Sequence, residues 1–201
     1  MNAVNHVAPQ TYSAKPATPR RLSTLLLCAV LLSTSLAVGT PRLAHAATCA
    51  NLVSDSSLED GSTWITKSSA NYPVLSSRLT HSGKQAAYLA GTDNAHDLLA
   101  TIFTLPAGQP TLTLTFWWQI QSQENSRFQD TLTVILTDDQ GKVLQTLDSL
   151  SSRDMSNQWQ QHTLTLNKFA DQTVQLQFLA RTDGEAATDF FIDDIEVVAC
   201  N

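Results

Sequence analysis

The stretch Phe190-Phe191-Ile192-Asp193-Asp194-Ile195-Glu196-Val197-Val198 sets two adjacent carboxylates inside an otherwise aromatic and aliphatic run. An unpaired charge in a buried strand is expensive, so something must compensate the pair. Two solutions are cheap: a cation held by at least one of Asp193 and Asp194, or a bulge that turns one of them to solvent. A second group lies in Thr111 to Gln121, where Trp117 is the one large aromatic on a face otherwise made of Thr and Gln. A ring exposed among hydrogen-bonding side chains suits stacking against a pyranose, with amides reading the hydroxyls. Gln119, Gln121, Thr131, Thr133, Gln175, Gln177 and Arg181 have the matching parity and are expected to line the same sheet face. Tyr72, on the loop Asn71-Tyr72-Pro73, would add a second stacking surface. In the alternative reading these Thr and Gln are ordinary exposed sheet residues and a loop covers Trp117.

Catalytic patterns are missing: the sequence contains no G-x-S-x-G, H-E-x-x-H, P-loop or C-x-x-C. His81 belongs to a turn, His96 to the acidic loop around Asp93, Asn94 and Asp97, and His162 shares the inward parity of Leu164 and Leu166. The acidic loop reads as solvated turn chemistry. Asp193 and Asp194 are chain neighbours whose side chains point to opposite faces, unlike the facing acid and base of a glycosidase. The chain therefore reads as non-catalytic.

The elements that must position these groups are strands. No segment has a helical period, and what recurs is short alternation broken by turn residues. In Thr111 to Gln121, Leu112, Leu114, Phe116, Trp118 and Ile120 fall on one face, which must be the core face. Ala86 to Ala90, Leu98 to Leu105, Thr131 to Thr137, Lys142 to Leu147, His162 to Leu166 and Thr173 to Arg181 read as further strands. Asp138-Asp139-Gln140-Gly141 reads as a hairpin turn and Leu150 to Gln158 as a polar loop. About eight to ten strands with no helix between them predict an all-β fold, a two-sheet antiparallel β-sandwich of jelly-roll type, as one domain over residues 47–201.

Residues 1–46 read as a signal peptide: Arg20 and Arg21 precede an apolar run from Leu22 to Val38, and Ala44-His45-Ala46 supplies the small residues before a cleavage point. An uncleaved anchor is the other reading, against which stands a short run interrupted by Ser and Thr. Arg20-Arg21 lacks the apolar pair that follows a twin-arginine motif, so the general secretory route and a secreted, extracellular product are expected. Beyond residue 46 the chain has eight basic and eighteen acidic residues, a net charge of −10, which repels phosphate backbones and excludes nucleic acid as a partner. Cys28 leaves with the signal, and Cys49 and Cys200 remain. In an exported chain they are expected to pair, which would restrict the unfolded ensemble by about 4 to 5 kcal/mol. Two free thiols or an intermolecular bridge is the alternative.

Several short motifs carry a family resemblance. Asn51-Leu52 through Ser57-Leu58-Glu59-Asp60-Gly61 to Trp64 resembles the opening of bacterial carbohydrate-binding jelly rolls. His81-Ser82-Gly83-Lys84 resembles their H-S-G turn, and Trp159 to Phe169 their W-to-F stretch. The middle, from Tyr88-Leu89-Ala90-Gly91 through Leu105-Pro106-Ala107-Gly108 to Thr115-Phe116-Trp117-Trp118, is similar to the MAM-like modules of secreted peptidases, and Phe191-Ile192-Asp193-Asp194-Ile195 occurs in both groups. The resemblance implies a galactose-binding or MAM-like sandwich and a structural calcium ion. Its ligands would be Glu59 and Asp194, with Asp193, Asp60 and the carbonyl of Asn51 as helpers. The expected function is a monomeric binding module for a polysaccharide or cell-surface glycan, with no membrane span after signal cleavage. The competing expectation is a protein-interaction or structural module with a secreted protein as partner.

Overall fold

The computed structural model describes residues 47–109, 111–125 and 129–201; the expected signal peptide lies outside them. Eleven strands follow one another among the described residues: β1 (Cys49–Asn51), β2 (Ile65–Lys67), β3 (Leu75–Ser76), β4 (Ala86–Ala90), β5 (His96–Leu105), β6 (Thr111–Ser122), β7 (Thr131–Thr137), β8 (Val143–Ser151), β9 (Gln160–Thr165), β10 (Gln172–Arg181) and β11 (Thr188–Cys200). The only helical pieces among these residues are two 3-10 turns, Ser152–Asp154 and Asn167–Phe169. The first sheet has the order β3-β4-β11-β6-β9, with β1 also paired to β11, and the second has the order β2-β5-β10-β7-β8. All pairings are antiparallel, so the molecule is the expected two-sheet β-sandwich.

Period-two patterning explains the layers. Leu112, Leu114, Phe116, Trp118 and Ile120 of β6 are all buried, and so are Val174, Leu176, Phe178 and Ala180 of β10. The two strands belong to different sheets, and their apolar faces close on each other: Phe116 and Phe178 meet edge to face with centroids 5.2 Å apart. Burying an aromatic of this kind contributes about 1.5–3 kcal/mol. The polar loop expected from Leu150 begins later, because Leu150 is buried opposite Leu132 and keeps β8 in the sheet as far as Ser151.

The two ends of the described chain meet as expected. β1 lies antiparallel on β11 with Cys49 opposite Cys200, and the two sulfurs form a disulfide with Cα atoms 4.1 Å apart.

The acidic pair in β11 is accommodated by a bulge. Asp193 opposes Trp117 and Glu196 opposes Thr115, so β11 holds one residue more than β6 across this step. Without that residue Asp194 would share the inward parity of Phe190 and Ile192. With it the inward positions become Ile195, Val197 and Ala199, all buried. Asp194 takes the strain, at a left-handed φ of 45°.

Sheet membership corrects one expectation. Trp117, Gln119 and Gln121 lie on β6 of the first sheet, whereas Thr131, Thr133, Gln175, Gln177 and Arg181 lie on β7 and β10 of the second. The outward residues of the two sheets face opposite sides of the sandwich, so these residues form no single platform. Parity tells inside from outside, but the crossovers decide which sheet a strand joins.

Candidate functional site

Around the bulge, loop residues cover the outer face of the first sheet. Asp193 is fully buried, and its carboxylate accepts the backbone N–H groups of His81 at 2.8 Å, Ser82 at 3.1 Å and Asp194 at 2.8 Å. Burial pushes its pKa up, and these three N–H groups pull it back. The same turn engages Asp194: His81 Nδ1 lies 2.6 Å from Oδ2, and the Ser82 hydroxyl donates to Oδ1 at 2.7 Å. The His81 ring then stacks on Trp117, centroids 3.9 Å apart and planes 16° apart, and meets the edge of Trp159. A loop therefore covers the half-buried Trp117. Gln119 is 4% exposed, which removes its amide from a solvent-facing role, while Gln121 stays exposed.

Glu59 approaches this turn from the other side and accepts the N–H groups of Lys84 at 2.7 Å and Gln85 at 2.9 Å. The Gln85 N–H chiefly, then that of Lys84, holds its pKa below the usual carboxylate value, while nearby Asp194 pushes it the other way. Its loop is set by Asp55, whose carboxylate accepts the N–H groups of Glu59, Asp60 and Gly61. Gly83 takes a left-handed φ of 58°, which glycine adopts without strain, and a Cβ there would press on the end of the Glu59 side chain.

The expected calcium ligands divide on this geometry. Glu59 and Asp194 present hard oxygens on the same turn and suit calcium chemistry. Asp193 is fully buried with three N–H groups on its two oxygens, and both oxygens of Asp194 are also engaged, by His81 and the Ser82 hydroxyl, so an ion there would share Asp194 with that turn. The Asn51 side-chain oxygen accepts the N–H groups of Val53 and Val197 at 3.1 Å each; the expected ligand atom is its backbone carbonyl, which is a different oxygen.

A second feature lies beside β3 and β4. A groove of about 940 Å³ is lined by Tyr72, Pro73, Leu75, Ser76, Arg78, Lys84, Gln85, Tyr88 and Thr92, among others. An aromatic row underlies it: Tyr72 and Tyr88 have centroids 5.1 Å apart, and Tyr88 and Phe191 5.4 Å. The Arg78 guanidinium lies 4.6 Å over the Tyr88 ring, a cation–π contact at the groove rim. The Tyr88 hydroxyl donates to Asp189 Oδ1 at 3.0 Å. Burial first, then the Asp189 charge, pushes its pKa up to about 12.

Tyr72 is fixed by a carboxylate that the sequence reading left in solvent. Asp97 is 2% exposed, and it accepts the N–H groups of Ser69 at 2.9 Å and Ala90 at 2.7 Å together with the Tyr72 hydroxyl. Asp97 is thus the anchor that ties the Tyr72 loop to β4. Burial first, then Asp97, raises the Tyr72 pKa well above the usual phenol value. Its signal in the sequence was an Asp two residues before the inward Leu99, a parity that places it inside.

The other expected residues stand apart. The Gln177 amide donates to Gln175 Oε1 at 2.6 Å, so these two satisfy each other on the second sheet, and Arg181 is exposed at the end of β10. Arg78, Lys84, Gln85 and the His81 contact to Trp117 were missed. They come from a loop with no periodicity, and only the H-S-G turn motif pointed toward them.

A β-sandwich whose closing acidic bulge is gripped by an H-S-G turn defines a jelly-roll module. The described domain matches the model of the MAM domain (meprin/A5/mu) over residues 47–201, and the chain belongs to that family. Among solved structures, the carbohydrate-binding module TmCBM61, determined with β-1,4-galactotriose, is similar at a TM-score of 0.52 and 14% identity, over 74% of this chain and 97% of that one. The K3 cleaved adhesin domain of Lys-gingipain from Porphyromonas gingivalis gives a TM-score of 0.51 at 17% identity, over 74% of this chain and 97% of that one. A structure reported for carbohydrate-binding modules of the β-sandwich superfamily gives 0.50 at 16% identity, over 70% and 60%. At such identities the likeness is one of fold. No curated protein matches the chain. No helix among the described residues is long and apolar enough to cross a membrane.

Proposed function

We propose that this MAM domain is an exported, non-catalytic glycan-binding module, and that its sugar site is the β3–β4 groove and not the Trp117 face. The groove carries the reading: about 940 Å³ of concave space over the Tyr72–Tyr88 pair, with Arg78, Lys84 and Gln85 at its wall. The half-buried Tyr72 ring offers flat apolar area to a pyranose with the buried Tyr88 behind it, while a guanidinium, an ammonium and an amide offer donors to its hydroxyls or carboxylate. Two cations on the rim of a strongly acidic domain favour sugars that bear a carboxylate. Two similar solved structures are described as carbohydrate-binding modules, one in complex with β-1,4-galactotriose, which supports this ligand class. Export is supported by the disulfide, which needs an oxidising compartment.

The test is a glycan array followed by titration of the best oligosaccharide. Tyr72→Ala and Arg78→Ala should each weaken binding roughly tenfold or more, a loss of about 1.4 kcal/mol. Trp117→Ala should leave it within about threefold. If no glycan binds, or if Arg78→Ala binds as wild type, the site is wrong.

The calcium ion that the fold family implies would be held by Glu59 and Asp194, neutralising two acids at the turn and bracing it. Chelator should then lower Tm, and Glu59→Ala should shrink that drop. A melt indifferent to chelator counts against the ion.

One observation favours a protein-interaction role instead. Ile102, Gln175, Thr137 and Val143 form a cross-strand row on the second sheet, and Ile102 and Val143 at its ends are 57% and 53% exposed. Under that reading no glycan binds, and Ile102→Lys abolishes capture of a secreted protein partner.

A further inference from the structure

At the end of the sandwich far from the disulfide, where Ser122 of β6 pairs with Thr188 of β11, three acids from three parts of the chain converge. Glu124 follows β6, Asp130 precedes β7 and Asp183 follows β10, and one oxygen from each lies within 4.8 Å of the other two. Glu124 is 5% exposed and Asp130 fully buried, so two of the three carboxylates are shut away from water.

Their hydrogen bonding is incomplete. Asp130 Oδ1 accepts the Asp183 N–H at 2.8 Å, Asp183 Oδ1 accepts the Glu185 N–H at 2.8 Å, and Glu124 Oε1 has only a long contact of 3.5 Å from the Gln129 N–H. Among the described residues Glu124 Oε2 is buried with no hydrogen-bond partner, and Asp130 Oδ2 is buried too, with the Thr188 hydroxyl, shared with Ser122, as the group that bears on its carboxylate. Asp193 offers the internal comparison: it is equally buried, yet three N–H groups meet its oxygens. No such set of donors meets Glu124 and Asp130 among the described residues, and two buried carboxylates facing each other call for a positive charge between them.

We infer that Glu124, Asp130 and Asp183 form a binding site for a hard divalent cation of the calcium class, clamping the two sheets at this end of the sandwich. The donor set is oxygen only, with neither imidazole nor thiolate, which disfavours zinc and copper. Acids carried on loop and strand-end backbone fit the irregular geometry calcium accepts better than the strict octahedron of magnesium. The strand ends also bring main-chain carbonyls to this region, for the Asp130 carbonyl accepts the Ser152 N–H and that of Asp183 the Asn94 N–H. The inference stands apart from the glycan reading and from the Glu59–Asp194 turn, since it uses none of their residues.

The experiment uses the domain of residues 47–201 with its disulfide intact, stripped with chelator, desalted, and titrated with calcium chloride by calorimetry and thermal melts. Glu59→Gln removes the other proposed site and serves as background. In that background calcium at millimolar concentration should still bind and raise Tm. Adding Asp130→Asn should weaken the remaining binding by at least about 100-fold, the upper end of what even outer partners of a metal are worth. The metal-free Tm of the Asp130→Asn protein should equal or exceed that of its parent, because a like charge has been removed from the cluster, so loss of binding is not loss of fold. Asp183→Asn, at the half-exposed member, should lose affinity in the same direction. The inference is overturned if the Glu59→Gln protein neither binds calcium nor gains stability from it, or if the added Asp130→Asn leaves its binding unchanged; the three acids then share protons and hold no ion.

Discussion

Single carboxylates do most of the organising here, and what distinguishes them is their partners. Asp193 and Asp97 are both buried and collect backbone N–H groups, Asp193 from His81 and Ser82 more than a hundred residues upstream and Asp97 from Ser69 and the nearby Ala90. Replacing Asp193 by Asn keeps the volume but turns an amide NH2 toward those donors. That change should cost about 1–3 kcal/mol, the range for leaving a buried polar group unsatisfied, read as a lower midpoint in urea at unchanged slope. His81→Ala should uncover Trp117, and acrylamide should then quench the tryptophan emission more strongly while glycan binding persists. The pair Asp193-Asp194 stood out in the sequence as a problem needing a solution, and both a cation and a bulge could supply one. The bulge is present, and the rest of the answer lies in the His81-Ser82 turn, more than a hundred residues upstream. No local pattern could name that partner.

At the scale of elements, the edge formed by β3, β4 and the loop before them holds the groove and its two tyrosines. Both phenols have pKa values raised above the ordinary 10.0, chiefly by burial, with Asp97 acting on Tyr72 and Asp189 on Tyr88. Arg78, over the Tyr88 ring, works in the opposite direction. The neutral phenol is the form that the fold prefers. The stability it contributes is complete below pH 10 and declines as pH rises through 10 toward 12, because the unfolded chain ionises first. Tyr72 and Tyr88 are the only tyrosines in residues 47–201. A spectrophotometric titration of that domain should therefore show little tyrosinate at pH 10.5 until the protein unfolds, and Tyr88→Phe should soften the alkaline loss of stability. Tyrosinate appearing with an ordinary pKa in the folded protein would refute the anchoring of this edge. The long strands were legible because inward and outward residues alternate locally. The short β1, β2 and β3, at two or three residues each, carry too few alternations to read, and the groove depends on β3.

Across the whole molecule, the disulfide closes the domain on itself, joining β1 to the end of β11 across a sequence separation of 151. The core is built by the two sheets without help from the sulfurs, so a Cys49→Ala/Cys200→Ala protein should still fold. It should melt about 10 °C or more below wild type, as the chain-entropy value of about 4–5 kcal/mol implies for a domain of this size. An unchanged melt would mean that the unfolded chain is already held compact. The sequence by itself determined the all-β class, the faces of the long strands, the acidic surface and the pairing expected of the two cysteines, because each follows from composition or from a period of two that neighbouring residues express. Tertiary structure alone decided which strands share a sheet, that Trp117 lies beneath His81 while Tyr72 and Tyr88 underlie a groove, and that Glu124, Asp130 and Asp183 meet. Those juxtapositions are set by crossovers and strand ends, and an antiparallel sandwich brings together residues whose separation along the chain carries no record of their distance in space.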